Sequence, residues 1–215
     1  ALRSKTWLWL PRVLFGQREQ KAAQAIEKAA AMGFLGFEAE NIAHLELCRG
    51  LPISGGFGLN LANALAAEKW MELGCKALTF SPELTLRPMG RLADGLDTGR
   101  GTLAALAYGH LPLMRTRGWP AGRVAGGGGG RQGGRTVTVR AGGRRAVQGQ
   151  DGGRVIINPI PLGMGGKREV GRVGGASQYC TTESREQAAG VLRRFAEGKP
   201  APGAFTRGLY YKGIQ

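Results

Sequence analysis

Three glycines in the first half of the chain each end a helix-like stretch, and an apolar run follows each of them at once. They are Gly33, Gly50 and Gly74. Glycine after a helix adopts the left-handed conformation without steric cost, and a buried strand directly behind it is typical of a repeated βα unit. Such repeats force parallel strands, whose carboxyl ends gather the functional side chains. The sequence therefore predicts an α/β fold with a site at those strand ends.

We predict a partial parallel (β/α) barrel with a Gly-rich β insertion and a C-terminal helix. Residues 1–117 hold the βα units, residues 118–175 form the glycine-rich, basic β insertion, and residues 176–215 form the C-terminal helix and a packed tail. The five consecutive glycines at 126–130 bury little surface and are costly to order. Within the insertion, residues 135–147 alternate and turn as a small β-hairpin does.

Four segments are predicted to be helical. They are residues 17–32, 61–73, 83–92 and the segment that follows Ser184. Asn60 suits the N-cap of the second segment, because its side chain can accept hydrogen bonds from the first turn. Ser184 and Gln187 fit a capping box at the start of the last segment.

The net charge of +15, from 30 basic and 15 acidic residues, bears on the partners of the chain. Residues 115–172 hold twelve lysines and arginines, with only Asp151 and Glu169 as acids. Such an excess favours anionic partners, with nucleic acid first among them. Few aromatic residues accompany these arginines, and a GC-rich genome would encode the same arginine and glycine bias. The composition leaves both explanations open.

The three cysteines bear on the cellular compartment. Cys48, Cys75 and Cys180 are far apart, and their number is odd. This pattern argues against a disulfide framework and predicts a reducing, cytoplasmic environment. No pair has metal-ligand spacing, and we predict three buried thiols without a bound metal. No run of 18 apolar residues occurs, so no membrane span is predicted.

Three polar residues at predicted strand ends are the candidates for catalysis: Glu83, Tyr108 and His110. Parallel strands bring their carboxyl ends to one rim, so we expect the three to be neighbours. Each has an alternative explanation. Glu83 could complement a helix dipole, and Tyr108 could be part of the barrel wall without binding a ligand. His110 is at a position where an arginine could equally well bind an anion. His44, near the start of a helix, is predicted to be structural.

Six short stretches, taken in order, resemble one protein family. They are residues 58–63 (GLNLAN), 81–84 (SPEL), 108–114 (YGHLPLM), 158–162 (NPIPL), 181–184 (TTES) and 205–211 (FTRGLYY). Together they resemble the bacterial collagenase-like peptidases of unassigned catalytic type, known as peptidase family U, number thirty-two. The resemblance runs from about residue 6 to the end, and it corresponds to the carboxyl-terminal half of a longer member.

The resemblance implies a barrel-like α/β fold and the hydrolysis of collagen or other peptides. Similar members instead support the hydroxylation of transfer RNA, ribosomal RNA or quinone precursors, and a non-catalytic RNA-binding half is a third alternative. Expected partners are therefore a peptide or RNA substrate and the missing N-terminal half of the same protein. Within this frame we predict that Asn60, Arg117, Asn158 and Arg207 bind substrate or an anion, since guanidinium groups suit bidentate anion contact. A solvated surface is the alternative for the arginines.

The resemblance does not extend to the iron–sulfur cluster that RNA-modifying members typically carry on four cysteines. The cysteines of the family signature fall here on Pro112 and Trp119, and further family cysteines fall near residues 126–130 and near Gly149. Glycine, proline and tryptophan supply no thiolate. No cofactor is therefore predicted, and the cluster is not expected.

Overall fold

The computed structural model describes residues 3–14, 16–96, 101–116, 136–138, 145–148, 154–165, 170 and 172–211. The chain forms two compact units. The first contains Ala1–Ala107, Lys167–Ser177 and Gly208–Gln215; the second contains Tyr108–Gly166 and Gln178–Arg207.

The first unit is built on a curled, half-barrel sheet of parallel strands. Its strands are β1 (Trp7–Trp9), β2 (Gly36–Ala39), β3 (Ile53–Gly55), β4 (Cys75–Thr79) and β5 (Thr102–Gly109). They pair in sequence order, and every neighbouring pair is parallel. The mixed α/β class and the parallel sheet predicted from the glycine pattern are confirmed. Strand β5 continues past Ala107 into the second unit.

Four helices with described bounds accompany these strands. They are α1 (Gln17–Ala31), α2 (Ala43–Leu47), α3 (Ala64–Glu72) and α4 (Leu86–Gly95). The three glycines that suggested the repeat have φ angles of 77°, 78° and 102° at positions 33, 50 and 74, so the left-handed conformation predicted for them is confirmed. Helix α4 begins three residues later than its predicted start at residue 83.

The prediction that Asn60 caps the helix after β3 is wrong. Residues Phe57–Leu59 form a 3-10 turn, and Asn60 ends it in the left-handed conformation at φ 57°. Leu61 then makes a parallel bridge to Phe80, which keeps the chain extended. The helix therefore starts only at Ala64, and its N-cap is Asn63, whose Oδ1 accepts from the Ala66 N–H at 2.8 Å.

The second unit contains an antiparallel sheet. Its strands are β6 (Pro112–Thr116), β7 (Thr136–Thr138), β8 (Arg145–Gln148) and β9 (Arg154–Ile157), in the order β6-β9-β8-β7. The pairing of β7 with β8 confirms the predicted hairpin in its described residues. The glycine run at 126–130 lies outside the described residues. A short strand, β10 (Leu162–Gly163), pairs antiparallel with Tyr108 and Gly109.

A last strand, β11 (Gly175–Tyr179), and a last helix, α5 (Arg185–Ala196), complete the described elements. The predicted packing of the tail is confirmed within each unit. In the second unit, Phe205 packs on a buried cluster that includes Tyr108 and Val191. In the first unit, the buried Tyr210 donates its hydroxyl to the Leu106 carbonyl at 2.8 Å.

The capping box at the start of α5 is confirmed, and it yields a first prediction. The Ser184 Oγ accepts from the Gln187 N–H, and the Gln187 side chain accepts from the Ser184 N–H. Ser184→Ala removes one of these bonds and is expected to lower the free energy of unfolding by about 1 kcal/mol. Ser184→Asn keeps an acceptor and should stay close to the parent in a urea titration. An equal loss in both variants would contradict the capping role.

The cysteines agree with the sequence prediction at two of three positions. Cys48 and Cys75 are buried, and burial raises the pKa of each thiol to about 11. Cys180 is exposed, so its predicted burial is wrong. It stands directly after the end of β11, where the chain leaves the sheet. None of the helices in the described ranges is long and apolar enough to cross a membrane.

Candidate acid–base site

Tyr108 and His110 leave the end of β5 as a pair separated by one glycine. Both side chains belong to the second unit, and both residues are only 6% exposed. Gly109 between them has φ 153°, and a Cβ there would lie 2.6 Å from the Tyr179 carbonyl oxygen. Only glycine fits this close approach, which fixes the direction in which both neighbouring side chains leave the strand.

Glu183 joins the two predicted residues through its carboxylate. The Tyr108 hydroxyl donates to Oε1 at 2.8 Å, and the His110 Nε2 lies 3.4 Å from the same oxygen. The N–H groups of Thr181 and Thr182 donate to Oε2 at 2.7 and 3.0 Å. The Glu183 and His110 side chains are each about 7% exposed, so this charge is held by hydrogen bonds inside the protein.

These contacts set the protonation of the cluster. Burial opposes the charge on Glu183, but the hydrogen bonds from Tyr108 and from the backbone N–H groups outweigh burial and lower the pKa of its carboxyl. Burial and the Glu183 carboxylate both raise the pKa of Tyr108 far above its usual value. At neutral pH the cluster therefore holds a carboxylate that accepts and a phenol that donates.

A contact at Nδ1 fixes the orientation of the His110 ring. Its Nδ1 lies 2.7 Å from the Asn158 carbonyl oxygen. A carbonyl oxygen only accepts, so Nδ1 carries the hydrogen, and Nε2 is the nitrogen that faces the Glu183 carboxylate. A proton on Nε2 would make an ion pair with Glu183. The ring is therefore held between the Asn158 carbonyl oxygen and the Glu183 carboxylate.

Two buried polar atoms without a described hydrogen-bond partner lie in the segment just before Glu183. The Thr181 Oγ1 and the Gln178 Oε1 are buried and have no hydrogen-bond partner in the described part of the chain. Buried polar atoms are nearly always satisfied, so each is a position for a water or a ligand group. Cys180 lies between them in sequence, and although the residue is exposed, partial burial of its thiol and then the Glu183 charge raise the pKa of that thiol. It is therefore a poor thiolate nucleophile.

The other predicted site residues in the second unit have different surroundings. Asn158 contributes its carbonyl to His110, while its Oδ1 accepts from the Ile160 N–H at 3.2 Å. Arg207 donates from Nη1 to the Gly163 carbonyl at 2.9 Å, and its guanidinium lies 4.8 Å from the centre of the Phe205 ring. Arg207 thus has protein partners that position it. Arg117 lies outside the described residues.

Glu83 and Asn60 belong to the first unit, and Ser81 connects them. The Ser81 hydroxyl donates to the Asn60 Oδ1 at 3.0 Å and accepts from the Glu83 N–H at 3.4 Å. The Glu83 side chain is exposed. The structure therefore groups Tyr108 with His110 around Glu183, whereas Glu83 is tied to Asn60 through backbone and serine contacts.

Two carboxyls at the end of β2, of which Glu40 is buried and Glu38 half-buried, were not among the predicted site residues. Glu38 is on β2 and Glu40 directly follows its last residue, and both carboxyls lie against Gly56. Glu40 is 1% exposed, accepts from the Trp9 side chain and the Gly58 N–H, and has an Oε1 without a described partner. Burial, with a smaller contribution from Glu38, raises the pKa of Glu40 to about 7. Their position at a strand end was the available signal.

His44 is hydrogen-bonded to the backbone of Glu40, a contact that fits the structural role predicted for it. It is fully buried, and its Nδ1 accepts from the Glu40 N–H at 3.0 Å. Because that nitrogen must be unprotonated to accept, and because burial lowers the pKa of His44, the ring is neutral. It fixes the backbone at the end of β2.

The donor set does not fit a four-cysteine cluster. The sequence holds three cysteines, and two of them are buried thiols with raised pKa values. Within the described ranges no group of three histidine, cysteine, aspartate or glutamate side chains could hold a metal ion.

A scan against protein-family models, a search of curated proteins and a search of solved structures found no significant match to this chain.

Proposed function

We propose that this chain is the carboxyl-terminal half of a cytoplasmic collagenase-like peptidase with a (β/α)-barrel fold, and that Tyr108, His110 and Glu183 form its acid–base centre. One contact carries the proposal. The Tyr108 hydroxyl donates to Glu183, so two of the stretches that resemble the family meet although 75 residues separate them. A buried hydrogen bond between two such distant stretches supports the proposal that both belong to one functional site.

Peptide hydrolysis at this centre would use water as the nucleophile. The His110 Nε2 takes a proton from water as the oxygen attacks the peptide carbonyl, and the Glu183 carboxylate stabilises the resulting imidazolium. The same proton passes to the leaving amine, so that the peptide bond breaks to an acid and an amine. Tyr108 keeps the carboxylate aligned by its hydroxyl. Thr181, with its unpartnered Oγ1, is placed to bind water or substrate.

An RNA hydroxylation factor of the same family is the second candidate. The net charge of +15 favours it, because the phosphate backbone of RNA attracts a strongly basic chain. The iron–sulfur cluster typical of such members has no corresponding set of four cysteines in this chain. RNA retention that falls steeply with salt, without peptide hydrolysis, would favour this candidate over the first.

Hydrolysis of denatured collagen in the presence of a metal chelator tests the peptidase proposal. His110→Gln removes the base and is expected to lower the rate about 100-fold, because general-base catalysis contributes at least that much. Glu183→Gln should lower it strongly as well, because the amide leaves the imidazolium uncompensated. Tyr108→Phe keeps the ring and tests the hydroxyl alone.

Glu197→Gln is the matched control, since Glu197 is an exposed carboxylate of the same unit whose partner is Lys199. It should hydrolyse at the parent rate. Thermal melts of every variant show whether a loss of activity comes from unfolding or from removal of the proposed base in a folded protein. Parent-like hydrolysis by a folded His110→Gln protein would contradict the assignment, and so would hydrolysis that stops on chelation.

A further inference from the structure

The first unit contains an open cleft along one face of α4. Its volume is about 840 Å³, which lies within the range of small-molecule sites. Arg87, Gly90, Arg91 and Asp94 line it from the helix at spacings of three and four residues, so they share one helix face. Arg172 lines it from a later segment. All of these residues belong to the same compact unit.

The charge of the cleft is strongly positive. Three guanidinium groups face it, against the single carboxylate of Asp94. In the part of the chain that the structure describes, no ion pair involves Arg87, Arg91 or Arg172. The first turn of α4 contains no acidic residue. Arginines converging on a concave surface, with one acid between them, suit an anion with several oxygen atoms.

Two residues that line the cleft are joined by a backbone hydrogen bond, and one lining position has free space beside it. The buried Tyr210 accepts from the Leu86 N–H at 3.0 Å through its carbonyl and donates its hydroxyl to Leu106. Gly90 has nothing within 4 Å of the position that a Cβ would occupy, so the helix leaves space for a ligand there. Tyr211, which is 50% exposed, also lines the cleft and contributes an aromatic side chain to it.

We propose that this cleft binds a phosphate-bearing ligand, with Arg87, Arg91 and Arg172 on the phosphate and Tyr211 beside the attached nucleoside. A carboxylate could satisfy one guanidinium, but three guanidinium groups and an aromatic ring match a phosphate with a base more closely. The ligand is a nucleotide unit, which a free mononucleotide or a single-stranded RNA segment would supply. The proposal does not depend on the peptidase assignment, because it uses no residue of the Tyr108 cluster.

Binding of three probes to the full chain tests the cleft: inorganic phosphate and adenosine monophosphate by calorimetry, and a fluorescent eight-nucleotide RNA by anisotropy. Arg87→Gln and Arg172→Gln are each expected to weaken binding of the nucleotide probes about 10-fold. Gly90→Leu adds no charge and improves helix propensity, so it should fold while filling the cleft, and it should weaken binding at least as much. Arg193→Gln changes an exposed arginine of α5 in the other unit and is the charge-matched control.

The pattern across the variants decides the outcome. Weaker binding in the three cleft variants, with Arg193→Gln within twofold of the parent, supports the proposal. Binding of adenosine monophosphate then identifies a free nucleotide as sufficient, while binding of RNA alone identifies the nucleic acid backbone as the source. No binding of any probe would overturn the proposal. Equal weakening in Arg193→Gln, no effect of Gly90→Leu, or equally tight binding of poly-glutamate would also overturn it, because binding would then reflect general charge.

Discussion

Replacement of Gly109 by alanine is expected to destabilise the second unit by about 4 kcal/mol and to remove the acid–base site with it. A Cβ on residue 109 would lie 2.6 Å from the Tyr179 carbonyl oxygen and 2.8 Å from the Tyr179 Cβ. Both atoms are held close to the backbone of β11, so they cannot turn aside as the end of a long side chain could. The collision and the φ of 153° each cost on the order of 1–3 kcal/mol for an alanine.

The same substitution should affect chemistry beyond its effect on stability. Residue 109 sets how Tyr108 and His110 leave β5, and both must reach Glu183. Moving the strand away from Tyr179 would lengthen the contact of 3.4 Å between the His110 Nε2 and Glu183. Any activity that depends on the cluster should therefore be lost even at a temperature where the variant remains folded.

Gly203→Ala is the matched control for the Gly109 prediction. Gly203 is in the same unit and has φ 75°, but nothing lies within 4 Å of its Cβ position. Alanine there should cost only about 1 kcal/mol, from the backbone conformation alone. A urea titration of the parent and both variants separates strain from collision. Equal midpoints for the two variants would show that the approach of Tyr179 to Gly109 is unimportant.

The parts of the fold that sequence could predict are those that local physics decides. A glycine after a helix, an alternating run around a turn, and a serine three residues before a glutamine each act within a few residues. The left-handed glycines, the β7–β8 hairpin and the capping box of α5 were predicted for this reason, and the structure has them.

The parts that sequence could not predict depend on contacts between distant residues. Asn60 has the side chain of a helix cap, but the bridge from Leu61 to Phe80 decides that the chain stays extended there. Glu183 stands one residue before the N-cap of α5, where an acid would be expected for the helix dipole alone. Only the fold shows that Tyr108, 75 residues earlier, donates to it. The burial of Glu40 likewise requires the loop after β3 to close over it.

Removal of the Glu40 charge is expected to stabilise the protein by about 3 kcal/mol at pH 8 and to leave its stability nearly unchanged at pH 4. The carboxyl is 1% exposed, and a Cβ on Gly58 would lie 2.6 Å from the Glu40 carbonyl oxygen, so the loop packs directly on this residue. Burial is the main cause that raises the pKa of Glu40 from 4.5 to about 7, and Glu38 adds to it while Trp9 and Arg12 oppose it. The folded protein therefore keeps the proton to a higher pH than the unfolded chain does.

The sign of the pH dependence follows from that difference. Below pH 4.5 the Glu40 carboxyl is protonated in both the folded and the unfolded protein, and its contribution to the free energy of unfolding is fully present. That contribution is lost as the pH rises from 4.5 to about 7. Glu40→Gln keeps the shape and the acceptor oxygen for Gly58 but cannot ionise, so its stability should not fall across this window. Glu38 and His44 also titrate near this site, so the difference between parent and variant at each pH is the quantity to measure.

Urea titrations between pH 4 and pH 8 provide that measurement, with Glu72→Gln as the control. Glu72 is an acid of the same unit with a side chain 57% exposed and paired to Lys69, so it is the matched replacement of an exposed carboxyl by an amide. If Glu40→Gln and the parent lose stability in parallel as the pH rises, Glu40 ionises as freely in the folded protein as in the unfolded chain. The Glu40 carboxyl would then be solvated in solution, and the loop around Gly58 would be open.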